Sequence, residues 1–250
     1  MTNPDSLLLA LWLAHLTGDF LLQPRAWVEE RYRLGHRSPH LWQHALVHAA
    51  LTLAVLVIAA AHDAQRGALA VLFGVLVVAI SHWWIDLAKS WLSPHRLRWF
   101  LLDQALHGLV LVGVWLAWVG SWQPLGAAVA WLATPRVLGL ACAYLLVSRP
   151  LSIAIALVMR RWSDQLEATG TLAAAGARIG MLERFLVLTL VLLDQLTAVG
   201  FLLAAKSVLR FGDLREAQDR KLTEYVLLGT LLSVASTLAL GLILRRLLEG

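Results

Sequence analysis

The chain has 250 residues, 59% of them hydrophobic and 15% charged, with a mean hydropathy of +0.70. An ordinary soluble domain carries roughly one-quarter charged residues, so a water-soluble fold is excluded. The net charge of +5 and pI near 10.0 would suit a nucleic-acid partner, but the basic residues sit in short loops beside apolar runs, where they set topology and meet anionic lipid, and no nucleic acid is expected.

Apolar windows near the ~20 residues that span a bilayer run over 7–22, 41–61, 68–92, 97–118, 137–158, 182–205 and 222–244. Alanine, leucine and valine dominate without ten-residue alternation, so helices are favoured over a barrel. The expected fold is all-α: a polytopic transmembrane bundle of about seven membrane helices. The amino-terminal MTNPDSLLLALWLAH lacks a basic region before its apolar stretch and is expected to stay as the first helix, a short one ending at Pro24. Gln123 to Ala133, flanked by Trp122 and Trp131, reads as an interfacial helix. Cys142, the single cysteine, excludes an internal disulfide and reads as a packing residue.

Arg25, Arg31, Arg33 and Arg37 after the first window, and Lys89, Arg96 and Arg98 around the turn after the third, assign those two loops to the cytoplasm. Arg160, Arg161 and Arg178 agree. Lys206, Arg210, Arg215, Arg220 and Lys221 conflict with seven simple spans, which leaves two explanations. Either a crossing is miscounted between Arg160 and Lys221, a re-entrant segment around Asp194 being one form of it, or the loop is an exception held by Asp213, Glu216 and Asp219. In the second half, Glu183 and Arg184 read as the start of a helix, with snorkelling as the default for Arg184, Lys206 and Arg210; a phosphate-binding cluster of those three is the alternative. Asp194 reads as a mid-helix charge that is protonated, paired or hydrated.

All nine histidines lie at or before His107. The chain is therefore divided into a histidine-bearing half, 1–122, and a second half, 123–250. Four windows of the first half carry polar pairs at i and i+4, which share one helix face: His15 and Asp19, His44 and His48, His82 and Asp86, Asp103 and His107. An ionisable group in hydrocarbon costs several kcal/mol unless paired, ligated or hydrated. The pairs fall late in the first and third windows and early in the second and fourth, so antiparallel neighbours bring all four to one depth, on the cytoplasmic side.

Imidazole with carboxylate and no thiolate is a ligand set for zinc, iron or manganese, and the eight residues suffice for one or two ions, zinc first. A bound ion would lower the pKa of a water and polarise a carbonyl or phosphoryl oxygen. Asp19 is a candidate for the chemistry. Lys89 and Gln23, one turn nearer the headgroups, are candidates for holding an anionic or phosphate-bearing group. His36, His62 and His95 read as loop residues, and His40 as a helix start, an outer support or a ligand.

The stretches HLTGDF followed by LQ, LWQHALVHAAL, SHWWIDLAK and FLLDQALHGL, continued by IGMLERFLVL, AVGFLLAAKSVLRFGD and EYVLLGTLLS, resemble a bacterial family of membrane proteins called Domain of Unknown Function family 3307. More distantly, the first half is similar to membrane-bound metal-dependent hydrolases, which implies hydrolysis only by association. The resemblance implies a multi-pass protein of the bacterial cytoplasmic membrane. The leading expectation is a metal-dependent hydrolase of a lipid-linked or amphipathic substrate, with membrane lipids as partners. A metal-ion or proton-coupled transporter is the second reading, and would be disfavoured by a chamber sealed on its outer side by Trp83, Trp84 and packed leucines. A membrane di-iron oxidase, against which the lack of H-x-x-H-H boxes counts, and a structural or signalling protein complete the alternatives.

Overall fold

A computed structural model describes residues 4–63, 66–163, 173–210 and 217–249. Every regular element among them is helical: α1 (Pro4–Phe20), α2 (Arg25–Leu34), α3 (Pro39–Ala61), α4 (Ala68–Ser90), α5 (Leu97–Val119), α6 (Gln123–Leu132), α7 (Pro135–Val147), α8 (Arg149–Ser163), α9 (Ala173–Leu192), α10 (Leu196–Arg210) and α11 (Ala217–Glu249). Five helical stretches among the described residues are long and apolar enough to cross a membrane: α3, α4, α5, Pro135–Arg160 and Glu224–Leu248. The pair α1 and α2, bent by 78°, makes six if it counts as one broken span. The chain is an all-α, multi-pass membrane protein. It divides into two compact units, Met1–Leu125 and Gly126–Gly250.

In the first unit, α3 packs on α4 and α1, and α5 closes the set against α4 and α1. Lipid tails are as apolar as leucine, so such helices associate through close packing rather than through escape from water. Small residues permit the approach. A Cβ on Gly74 would meet Leu56 at 2.6 Å, and one on Gly108 would meet Trp12 at 2.8 Å. One end of this bundle is a dry cluster that includes Leu7, Leu11, Leu56, Ala59, Val71, Val78, Leu111, Val114 and Trp115. The other end holds the polar pairs.

The bend between α1 and α2 follows from Pro24, which offers no amide and disfavours helix at the residue before it. The amides of Leu21 and Leu22 both donate to the Thr17 carbonyl, at 3.1 and 3.0 Å, and close the last turn of α1. After the break, α2 is tied back to α3. Ser38 Oγ donates to Glu30 at 2.8 Å, and His40 stacks on Trp27 with centroids 5.1 Å apart. α5 ends at Gly120, whose φ of 70° suits a residue without a Cβ.

In the second unit, α7, α8 and α9 pack against α11, and α10 against α9. The fifth apolar window is two helices, parted at Ser148, whose ψ of −116° is not helical; Pro150 has no amide to continue the ladder of α7 and stands instead in the first turn of α8. The sixth window is also two helices. Asp194, expected mid-helix, stands at the break between α9 and α10 with a φ of 60°, exposed and paired with Arg245. Arg184, expected at a helix start and snorkelling, lies well inside α9 and is buried. It donates from Nε to the Val147 carbonyl at 2.6 Å, from Nη2 to the Ser148 carbonyl and Ser152 Oγ, and from Nη1 to Ser233 Oγ at 3.4 Å. The carbonyls left without amide partners where α7 ends receive this guanidinium. Lys206 pairs with Glu183 at 2.5 Å, and Arg184 has its own partners, so two of the three cations of the expected phosphate cluster are engaged elsewhere. The side chain of Arg210 lies outside the described residues, as do Asp213, Arg215 and Glu216 and the side chains of Asp219, Arg220 and Lys221. Cys142 is exposed on α7 rather than packed. The segment expected to be interfacial forms α6, with no buried residue.

Candidate metal centre

Four helices of the first unit each contribute one pair. α1 carries His15 and Asp19, α3 His44 and His48, α4 His82 and Asp86, and α5 Asp103 and His107. In each, the i, i+4 spacing puts both side chains on the face that the bundle turns inward. Seven of the eight are at most 3% exposed, and the Asp19 side chain is 11% exposed.

Asp19 stands at the middle of the cluster. Its Oδ1 lies 3.1 Å from His48 Nε2, 3.3 Å from His44 Nε2 and 3.6 Å from His82 Nε2, while its Oδ2 lies 3.6 Å from His15 Nε2. Asp86 Oδ2 is 3.6 Å from His44 Nε2 and 3.7 Å from His82 Nε2. Three sets of donors converge within ligand reach of a shared point: His15, Asp19, His48 and His82; His44, His82 and Asp86; and Asp19, Asp103 and His107. They overlap at Asp19 and His82. The rings are close enough to stack, with His48 and His82 centroids 3.7 Å apart and His82 and His107 4.2 Å apart.

Buried polar groups nearly always find hydrogen-bond partners. Here His15 Nε2, Asp19 Oδ1, His44 Nδ1 and Nε2, His48 Nε2, His82 Nδ1 and Nε2, Asp86 Oδ2, Asp103 Oδ1 and His107 Nε2 have none. Their short mutual distances lack hydrogen-bond geometry, so lone pairs and ring nitrogens face one another around common points. His107 shows how such a donor is set. Its Nδ1 lies 2.9 Å from the Asp103 carbonyl; a carbonyl only accepts, so Nδ1 carries the proton and Nε2 presents a lone pair to the interior. Imidazole nitrogens and carboxylate oxygens at these spacings are a donor set that fits a dication.

Two cations border the cluster. Lys89 Nζ pairs with Asp103 Oδ2 at 2.5 Å and lies 5.9 Å from the Phe100 ring centroid. Arg31, read from sequence as a topology-setting loop residue, is 3% exposed on α2 and pairs with Asp86. Gln104 joins the centre without a spacing signal in the sequence. Its amide donates to Asp19 Oδ2 at 2.9 Å and to Asp103 Oδ2 at 3.2 Å, and so links two helices of the centre. Gln23 is partly buried in an otherwise exposed turn between α1 and α2. His40 is no part of the cluster; its ring pairs with Gln43 at 2.7 Å and Glu30 at 3.4 Å. His36, His62 and His95 are exposed. Trp83 lies against Trp42 at 4.9 Å and Trp84 is 58% exposed, so the apolar end is closed by the Leu7–Trp115 cluster and not by these tryptophans.

No curated protein and no solved structure matches the chain. A family model does match residues 7–133, just over half of the sequence and inclusive of all eight His and Asp residues. The chain belongs to the family described as "Protein of unknown function (DUF3307)".

Proposed function

We propose that the first unit binds one or two divalent transition-metal ions, zinc first and iron or manganese as alternatives, and that this centre hydrolyses a lipid-linked or amphipathic substrate. The observation that carries the reading is the convergence of buried, unpartnered imidazole and carboxylate atoms from four helices. An ion held there would acidify a water and polarise a carbonyl or phosphoryl oxygen. Asp19, central and the most open of the eight, is the group best placed to accept a proton from a reacting water. Gln104 fixes its carboxylate by donating to Oδ2. Lys89, partly buried and paired with Asp103, and Gln23, partly buried in the turn after α1, are the groups offered to an arriving headgroup.

The dry cluster at the other end of the bundle favours hydrolysis over transport. A permease must open its site to both faces, and here packed leucine, valine and tryptophan block one of them. The basic loops beside the centre support a cytoplasmic orientation in a bacterial inner membrane. The test is elemental analysis of detergent-purified protein beside an Asp86→Ala, His107→Ala double variant. One or two equivalents of metal in the parent, lost in the variant, are expected. No metal in the parent after reconstitution with zinc, manganese or iron would overturn the proposal.

A further inference from the structure

Three carboxylates, Asp19, Asp86 and Asp103, face the interior of the centre, and two cations, Arg31 and Lys89, pair with two of them. With neutral imidazoles the chamber carries one net negative charge. One divalent ion turns that into a single positive charge, and two ions into three. An uncompensated buried charge is expensive in a membrane interior, so a loaded centre calls for an anion.

Arg31 marks where that anion would sit. Its guanidinium is buried, and its Nε has no acceptor. Its Nη1 meets Asp86 Oδ2 as an ion pair without hydrogen-bond geometry. The same oxygen lies 3.6 Å from His44 Nε2 and 3.7 Å from His82 Nε2, the other members of one donor set. Asp86 Oδ2 is thus shared between the guanidinium of Arg31 and a donor set that would hold an ion. An ion held by that set would compete with Arg31 for this oxygen and would leave the rigid N–H fork of Arg31 available to the paired oxygens of a phosphate. α2 brings the fork there because the bend at Pro24 folds that helix back toward α3 and α4.

We infer that Arg31 and the bound ion together form a phosphate-binding subsite, so that the substrate of the centre carries a phosphate group at headgroup depth. The inference rests on the metal-centre reading above and narrows its substrate to phosphate-bearing amphiphiles.

The test uses the full-length chain in detergent, loaded with cobalt, whose visible bands report ligands entering its coordination sphere. Inorganic phosphate and, separately, short-chain phosphatidic acid are titrated into parent, Arg31→Gln and Arg31→Lys proteins, with diacylglycerol as the uncharged control. The parent is expected to show a saturable band shift with a phosphate ligand. Tightest response to phosphatidic acid would assign a lipid phosphate, and equal responses a free phosphate group; both support the inference. Loss of a charge-assisted contact predicts a Kd raised about tenfold or more in Arg31→Gln, with a smaller rise in Arg31→Lys, which keeps the charge and the pair with Asp86. Cobalt stoichiometry should stay at the parent value in both variants. Unchanged phosphate affinity with full cobalt content would overturn the inference and leave the metal centre standing, as would an equal shift with diacylglycerol. Loss of cobalt from Arg31→Lys would also overturn it, because Arg31 would then serve to hold Asp86. A parent that binds no metal would remove the metal-centre reading itself.

Discussion

Gly18 shows how closely the centre is built. A Cβ at this position would come within 2.4 Å of the His48 ring, so α1 passes that imidazole with a hydrogen atom alone. Gly18→Ala should therefore displace the His48 ring while leaving all eight His and Asp residues in the sequence. Metal affinity is expected to fall about tenfold to a hundredfold, the usual effect of losing a ligand-orienting contact, with helical circular dichroism unchanged; metal titration of the purified variant checks this. At this scale the sequence was readable where chemistry is short-range. His15 with Asp19, or His82 with Asp86, declares itself through spacing on one helix. Arg31 did not, because an arginine after an apolar run looks the same whether it meets headgroups or a buried carboxylate, and its partner Asp86 lies two helices away. Gln104 was hidden for a related reason: it follows Asp103 directly, and only the approach of α1 turns it toward Asp19.

Hydropathy windows find apolar length and overlook breaks within it, which is why two of them became helix pairs. At Ser148 the cause, Pro150, was visible in the sequence but lay inside an unbroken apolar run. At Asp194 the cause is tertiary. The residue adopts a φ of 60°, the Gln195 amide reaches back to the Leu190 carbonyl at 2.8 Å, and Arg245 of α11 pairs with the carboxylate. A left-handed backbone favours glycine, so the conformation and the ion pair can be separated by substitution. Asp194→Gly should keep or raise the midpoint of thermal unfolding, while Asp194→Ala, which keeps the Cβ and loses the pair, should lower it; scanning both in the same detergent decides. The equivalent element in the first unit is α2, whose position depends on Pro24 and on the tie between Ser38 and Glu30. Ser38→Ala is expected to weaken phosphate response before metal loading, because it loosens the helix that carries Arg31 and leaves the eight donors in place.

On the scale of the molecule, the common depth of the four pairs was legible because antiparallel packing of neighbouring helices follows from short loops alone. The division at Leu125 and the extent of the family match, to residue 133, put the whole centre on one side of the chain. A chain ending at Ala133 is expected to insert and to carry the same metal equivalents as the full protein, a comparison that elemental analysis of membrane extracts makes directly. The second unit then has its own organising group, Arg184, whose bonds to Val147, Ser148, Ser152 and Ser233 join α7, α8, α9 and α11.

The dry cluster from Leu7 to Trp115 lies wholly to one side of the centre, and this has an electrical meaning. A transmembrane voltage falls where mobile charge and polar groups are absent, hence across that apolar layer. Carrying a unit charge through the entire drop is worth about 2.3 kcal/mol per 100 mV, but an ion entering the centre from its own rim crosses little of it. Cobalt occupancy in sealed vesicles should then be the same with and without an imposed potassium diffusion potential. The centre would be sterically inside the bilayer and electrically at the potential of the compartment it opens to.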